Sequence, residues 1–171
     1  YITLCDSPLA HADFTLRDGL YDVKKVENYY KNLNLFLKNI QRKLNKKVII
    51  CLHPKGEYNQ FKNFQLLKKN FKTVYFKTEY YISKSYLVLN VISSTINYAI
   101  MQNKPIVILK SRYYGNTVKG KIENIQKELN YPTINIDQSE KHNFKKILKN
   151  NNLKEIESYK KKKFFLKKNK T

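Results

Sequence analysis

Six short apolar runs set the strongest limit on how this chain can fold: YITLC (1–5), KVIICL (47–52), KTVYFK (72–77), YLVLNVI (86–92), PIVIL (105–109) and PTINI (132–136). Most are rich in β-branched residues and stay apolar without alternating, as strands buried on both faces do. The segments between them carry apolar residues at steps of three and four. The longest opens at Asp22, a side chain suited to an N-cap, and continues to about Asn45. Its apolar positions are Val23, Val26, Tyr30, Leu33, Leu37, Ile40 and Leu44. Shorter helical patterns occupy 59–70, 94–103, 119–130 and 141–150, and 78–85 reads as a short helix or a loop.

Strands that alternate with helices predict an α/β chain, a Rossmann-like doubly wound parallel sheet of about six strands with helices on both faces. Residues 1–150 are expected to form that domain, and 151–171 a basic carboxyl-terminal helix or tail. A chain of 171 residues is long enough to bury one substantial core. No internal repeat is visible. No apolar run reaches the ~18 residues that a membrane helix needs. The opening YITLCDSPLAHADF has neither a basic leader nor a long apolar stretch, so no secretory signal is expected in it. The chain starts at Tyr1 rather than Met, which leads us to expect part of a longer protein. Cys5 and Cys51, without a CxxC pair, read as reduced thiols packed as small hydrophobes, which suits a cytoplasmic protein.

The formal charge is +21, yet of 34 basic residues only Arg17, Arg42 and Arg112 are arginine. Abundant Lys, Asn, Ile, Tyr and Phe are the bias of an AT-rich coding sequence, which supplies lysine without reference to a partner. Such a surface still attracts anions. Dedicated nucleic-acid readers favour Arg for bidentate contacts, so nucleic acid is not the expected partner.

In a doubly wound sheet, ligands bind beyond the carboxyl ends of the strands. That narrows the search to HPKG after the second strand, SST after the fourth and KSRYYGN after the fifth. In CLHPKGEY, Pro54 biases His53 away from helical geometry and ends the strand. His53 at the sheet rim can donate to a phosphate oxygen, and Lys55 adds charge; the plain alternative is an ordinary strand terminator. In NVISSTINYA, Ser93, Ser94 and Thr95 stand where a strand feeds a helix. Free amides of a first helical turn, together with hydroxyls, suit an anion, although the same residues cap any helix. Arg112, with Tyr113 and Tyr114, sits near the same edge and can contact a phosphate or stack on a base. No GxxxxGK[ST] or GxGxxG motif occurs, and the chain has only four glycines. His11 and His142 lack neighbours at metal-ligand spacing, so neither a metal nor another cofactor is expected.

His53 and Ser93 lie 40 residues apart, each after a buried strand, and KPIV opens the next strand. This pattern, from Lys46 to Leu109, resembles the carboxyl-terminal donor-binding domain of GT-B glycosyltransferases. It is similar to bacterial sialyltransferases, polysialyltransferases and related capsule and lipopolysaccharide enzymes. Teichoic-acid glycerophosphotransferases that use CDP-glycerol share a similar arrangement. The resemblance implies that His53 contacts the donor phosphate and stabilises the leaving group. Pro54, Lys55, Ser93, Ser94, Thr95 and Arg112 would help bind a nucleotide-sugar, CMP-sialic acid-like in the first instance, for transfer to a glycan acceptor on the bacterial surface.

The sialyltransferases carry an acidic pair followed by Gly far upstream, in an amino-terminal domain, as the source of the general base. The only comparable string here is RDG, Arg17 to Gly19, whose first position is basic and whose Asp18 reads as a turn residue. The expectation is therefore a donor-binding half without its base. A basic module binding nucleic acid or an anionic membrane is the alternative, and an epimerase-type sugar-nucleotide enzyme is a third. The tail from Lys160 to Lys170, with Phe164, Phe165 and Leu166 among its lysines, reads first as a frayed, solvated terminus; the alternative is peripheral contact with the inner face of a membrane.

Overall fold

The computed structural model describes residues 1–7, 9, 22–56, 58–149 and 153–161. Six strands form one all-parallel sheet: β1 (Ile2–Cys5), β2 (Val48–Cys51), β3 (Lys72–Val74), β4 (Leu87–Asn90), β5 (Ile106–Lys110) and β6 (Thr133–Asn135), in the order β3-β2-β1-β4-β5-β6. The helices are α1 (Val23–Leu44), α2 (Lys62–Asn70), α3 (Thr78–Ser83), α4 (Ile96–Met101), α5 (Asn116–Leu129), α6 (Phe144–Lys149) and α7 (Leu153–Lys160), with a 3-10 segment at Ile136–Lys141. This is the Rossmann-like doubly wound sheet that the apolar runs predict.

The chain steps outward from β1 to β3, then returns to β4 and steps the other way to β6. Right-handed crossovers therefore place α1 and α2 on one face and α3, α4 and α5 on the other. Accordingly, α1 packs on α2 and on the 3-10 segment, whereas α7 packs on α4 and α5. The reversal leaves a crevice at the carboxyl ends of β1 and β4, the usual ligand position in open α/β sheets.

Burial explains why the strands hold without alternation: β1, β2 and β4 are buried at every position. In α1 the inward stripe is Val26, Tyr29, Tyr30, Leu33, Phe36, Leu37 and Ile40, while Val23 is half exposed and lies off it. Asp22 caps α1 by accepting from the Lys24 and Lys25 amides, at 2.9 and 3.3 Å. Asn45 and Asn130 close α1 and α5 in the left-handed conformation that glycine usually supplies.

Part of the basic carboxyl-terminal segment is docked on the sheet domain. The Lys160 ammonium donates to the Met101 carbonyl at 3.0 Å and to Asn103 Oδ1 at 2.6 Å. Residues 162–171 lie outside the described residues, as do His11 and Asp18. Among the described residues no helix is long and apolar enough to cross a membrane.

Candidate functional site

The HPKG segment forms a tight turn in which the Gly56 amide donates to the His53 carbonyl at 3.0 Å, with Pro54 at the second position that type I and II turns favour. The Lys55 amide donates to His53 Nδ1 at 3.2 Å. A neutral ring that accepts at Nδ1 carries its proton on Nε2, the tautomer that can donate toward an anion. His53 is half-buried, and Pro54 and Lys55 are exposed.

Tyr58 anchors this turn from below. Its hydroxyl accepts from the His53 amide at 3.0 Å and donates to the Asp6 carboxylate. Its ring stacks on Phe64 of α2, with centroids 4.5 Å apart. The ring also lies so close to Gly56 that a Cβ there would collide with it, which is why glycine stands at that position.

Asp6 follows β1 directly and extends the ladder by donating its amide to the Cys51 carbonyl at 3.0 Å. Burial drives its carboxyl up to about 7, although the Tyr58 hydroxyl and backbone donors favour the ionised form. Burial, aided by the Asp6 charge, likewise holds the Tyr29, Tyr30 and Tyr114 hydroxyls protonated. The thiols nearby are inert: burial pushes Cys5 up to about 12 and Cys51 up to about 11. Both cysteines are free and are register partners on adjacent strands.

The Ser93–Thr95 loop departs from the expected helix cap. The helix begins at Ile96, and Thr95 at its N-cap makes no side-chain capping bond. The Ile96, Asn97 and Tyr98 amides instead donate to the carbonyls of Ser93, Ser94 and Thr95, at 3.1, 3.2 and 3.0 Å. A tight first turn thus consumes the amides that the sequence offered to an anion. The Ser93 and Thr95 hydroxyls bond each other at 2.8 Å, and Ser94 is exposed. What the loop presents is hydroxyls rather than a helix terminus. Beneath it, Asn90 is fully buried and holds the loop by donating from Nδ2 to the Ser93 carbonyl at 3.3 Å.

Asp137 organises the Arg112 loop. Its carboxylate accepts from the Arg112 amide at 2.7 Å, from Ser111 Oγ at 3.1 Å and from Asn32 Nδ2 at 2.8 Å. The Arg112 side chain is left over the Tyr113 ring, 5.2 Å from its centroid. A cleft of about 400 Å³ opens here between the N-terminal ends of α1 and α5.

The strand order brings the three loops to one edge but not to one point. The His53 and Ser93 loops follow β2 and β4, with β1 between them, so their strand ends stand about 10 Å apart. The Ser93 and Arg112 loops follow neighbouring strands, about 5 Å apart. One phosphate cannot touch all three loops, whereas a nucleotide-sugar is long enough. A second cleft, of about 710 Å³ and lined by Phe76, Lys77, Glu79, Tyr80 and Tyr81, lies beyond the edge strand β3. It carries one base and one acid and shows no convergence of like charge.

Sequence reasoning missed Asp6, Tyr58, Asn90 and Asp137. Two of them had a signal: an acid directly after the buried run YITLC, and an Asn inside YLVLNVI. Among the described residues no group of three or more His, Cys, Asp or Glu is placed to hold a metal ion. His142 instead bonds the Asn135 carbonyl through Nε2 at 2.8 Å. Comparison with protein-family models, with curated proteins and with solved structures gives no match for this chain.

Proposed function

We propose that this chain is the donor-binding part of a GT-B glycosyltransferase, one that takes a sugar from a nucleotide-activated donor, CMP-sialic acid-like, for a bacterial surface glycan. The observation that supports the reading is the pair of loops flanking the carboxyl end of β1. A tight turn holds His53 with its Nδ1 accepting from the Lys55 amide, and across β1 a hydroxyl-bearing loop presents Ser93 to Thr95.

In this reading the bond between the sugar and the donor phosphate breaks, and the phosphate oxygen keeps the electron pair. His53 Nε2–H, Lys55 and the loop hydroxyls offset the charge that develops there. Asp6 and Tyr58 are positioning residues, which hold the His53 amide and therefore the turn. The proton of the acceptor hydroxyl goes to a carboxylate of the kind that the amino-terminal domain of such enzymes carries. The chain alone is expected to bind a donor nucleotide without turning it over.

Calorimetric titration with CMP, CDP and UDP at moderate salt tests the proposal. A saturable 1:1 heat that His53→Ala weakens at least about tenfold, the loss of one charge-assisted contact, is the expected result. Absence of nucleotide binding, or binding indifferent to His53, overturns it. A basic module would instead bind RNA or anionic vesicles equally well in His53→Ala and lose them steeply with added salt.

A further inference from the structure

From the cleft between α1 and α5 we infer a second anion subsite, separate from the His53 turn, that takes the phosphate group of a soluble phosphorylated compound. The cleft is lined by Lys25 from the first turn of α1, Arg112 and Tyr114 from the β5 loop, and Lys119 from the first turns of α5; among the described residues no acidic side chain lines it. Three cations around about 400 Å³ repel one another, and an occupying dianion relieves that cost. The Arg112 guanidinium supplies a planar fork for phosphate oxygens, and the two ammonium groups supply point charges.

One further feature favours an anion at this place. Gly115 begins α5, a helix of 14 residues, without a side-chain cap, and it lines the cleft at the positive end of that helix. Tyr114 lines the same cleft and is only 2% exposed, its ring packed 5.6 Å from that of Tyr29. The Asp137 carboxylate, which would otherwise compete for Arg112, is already occupied by the Arg112 amide, Ser111 and Asn32.

The subsite stands independently of the glycosyltransferase reading. The β2 and β5 strand ends are three strand spacings apart, about 14 Å, so a phosphate at His53 does not reach this cleft. A charge of three cations suits a phosphate dianion better than a carboxylate, which brings one negative charge.

The test is a titration of the chain with inorganic phosphate at constant ionic strength, followed by amide NMR shifts. The expected result is saturable shifts at Lys25 and at Arg112 to Lys119, with acetate giving none. Arg112→Ala/Lys119→Ala should weaken the phosphate response at least about tenfold. All three cations are exposed, so a cooperative melt serves as the folding control, and Lys25→Gln with severalfold weaker binding replaces the double variant if that unfolds. Shifts that persist in the double variant, or that grow linearly without saturating, overturn the subsite. So does a response to phosphatidylglycerol vesicles with none to soluble phosphate, which assigns the cations to a lipid surface. Phosphate held in the cleft without nucleotide at His53 keeps the subsite and overturns the donor reading; nucleotide at His53 beside a silent cleft does the reverse.

Discussion

Asp6 shows how much one residue's environment decides. In the unfolded chain its carboxyl titrates near the ordinary carboxylate value, and in the fold burial raises it to about 7. Between those values the folded state holds a proton that the unfolded state has released. The contribution to stability is therefore complete below about pH 4 and is lost as pH rises toward 7, by at most about 1.4 kcal/mol per pH unit. Chemical denaturation of Asp6→Asn across pH 4 to 8 should show this slope removed, and an unchanged slope assigns the titration to another group. Tyr58→Phe removes the hydroxyl that joins Asp6 to the His53 amide, and should cost about 1–3 kcal/mol as well as weaken nucleotide binding. Gly56→Ala should match it, because the new methyl displaces the Tyr58 ring, at about 1–3 kcal/mol. If Gly56→Ala melts like the parent, the turn is not held as described. His53 and Lys55 were visible in the sequence as chemistry; their anchor was not, because a Tyr five residues on looks like any other aromatic.

Elements were legible where periodicity was long and ambiguous where it was short. The helix of 22 residues at Val23–Leu44 follows its apolar stripe and its Asp22 cap closely. The next helical pattern, 59–70, starts at Lys62 instead, and nothing local says so. Its N-cap, Phe61, has no capping side chain. The carboxylate of Glu27, on α1, accepts from the Lys62 and Asn63 amides at 2.6 and 2.8 Å and caps the helix from a neighbour. Glu27→Ala should cost about 1–2 kcal/mol, a melting shift of roughly 2–8 °C for a chain of this size, with Glu27→Gln losing less. Equal melting of all three proteins would dismiss the cap. The pattern 94–103 likewise shrinks to Ile96–Met101, since Ser93 Oγ bonds the Thr95 hydroxyl and amide, and the Thr95 hydroxyl caps no amide of the helix. The 3-10 segment after β6 has no periodic signature, yet it carries Asp137, the organiser of the Arg112 loop.

At the scale of the whole molecule, the two cysteines report on the core. Cys5 and Cys51 sit on the inner strands β1 and β2, and burial raises both thiols far above neutral pH. Their alkylation should wait on opening of the sheet, so both should react at one shared rate that follows global stability. Faster reaction of Cys51 alone would show that β2 and β3 open separately. The net charge of +21 behaves differently at different places. Lys160 is spent on docking α7, whereas Lys25, Arg112 and Lys119 converge on one cleft.

The sequence by itself determined the doubly wound class, because unalternating apolar runs can be satisfied only by strands covered on both faces. It also determined that His53, Ser93 and Arg112 stand at one edge of the sheet, since each directly follows a strand of a parallel set. Only the tertiary structure decided which of these loops are neighbours, because strand order is fixed by long-range packing rather than by position along the chain. The same holds for Asp6 under Tyr58, Glu27 on the Lys62 amide and Asp137 beneath Arg112. Each is a polar contact between residues more than 20 positions apart, and no local pattern encodes a partner at that range.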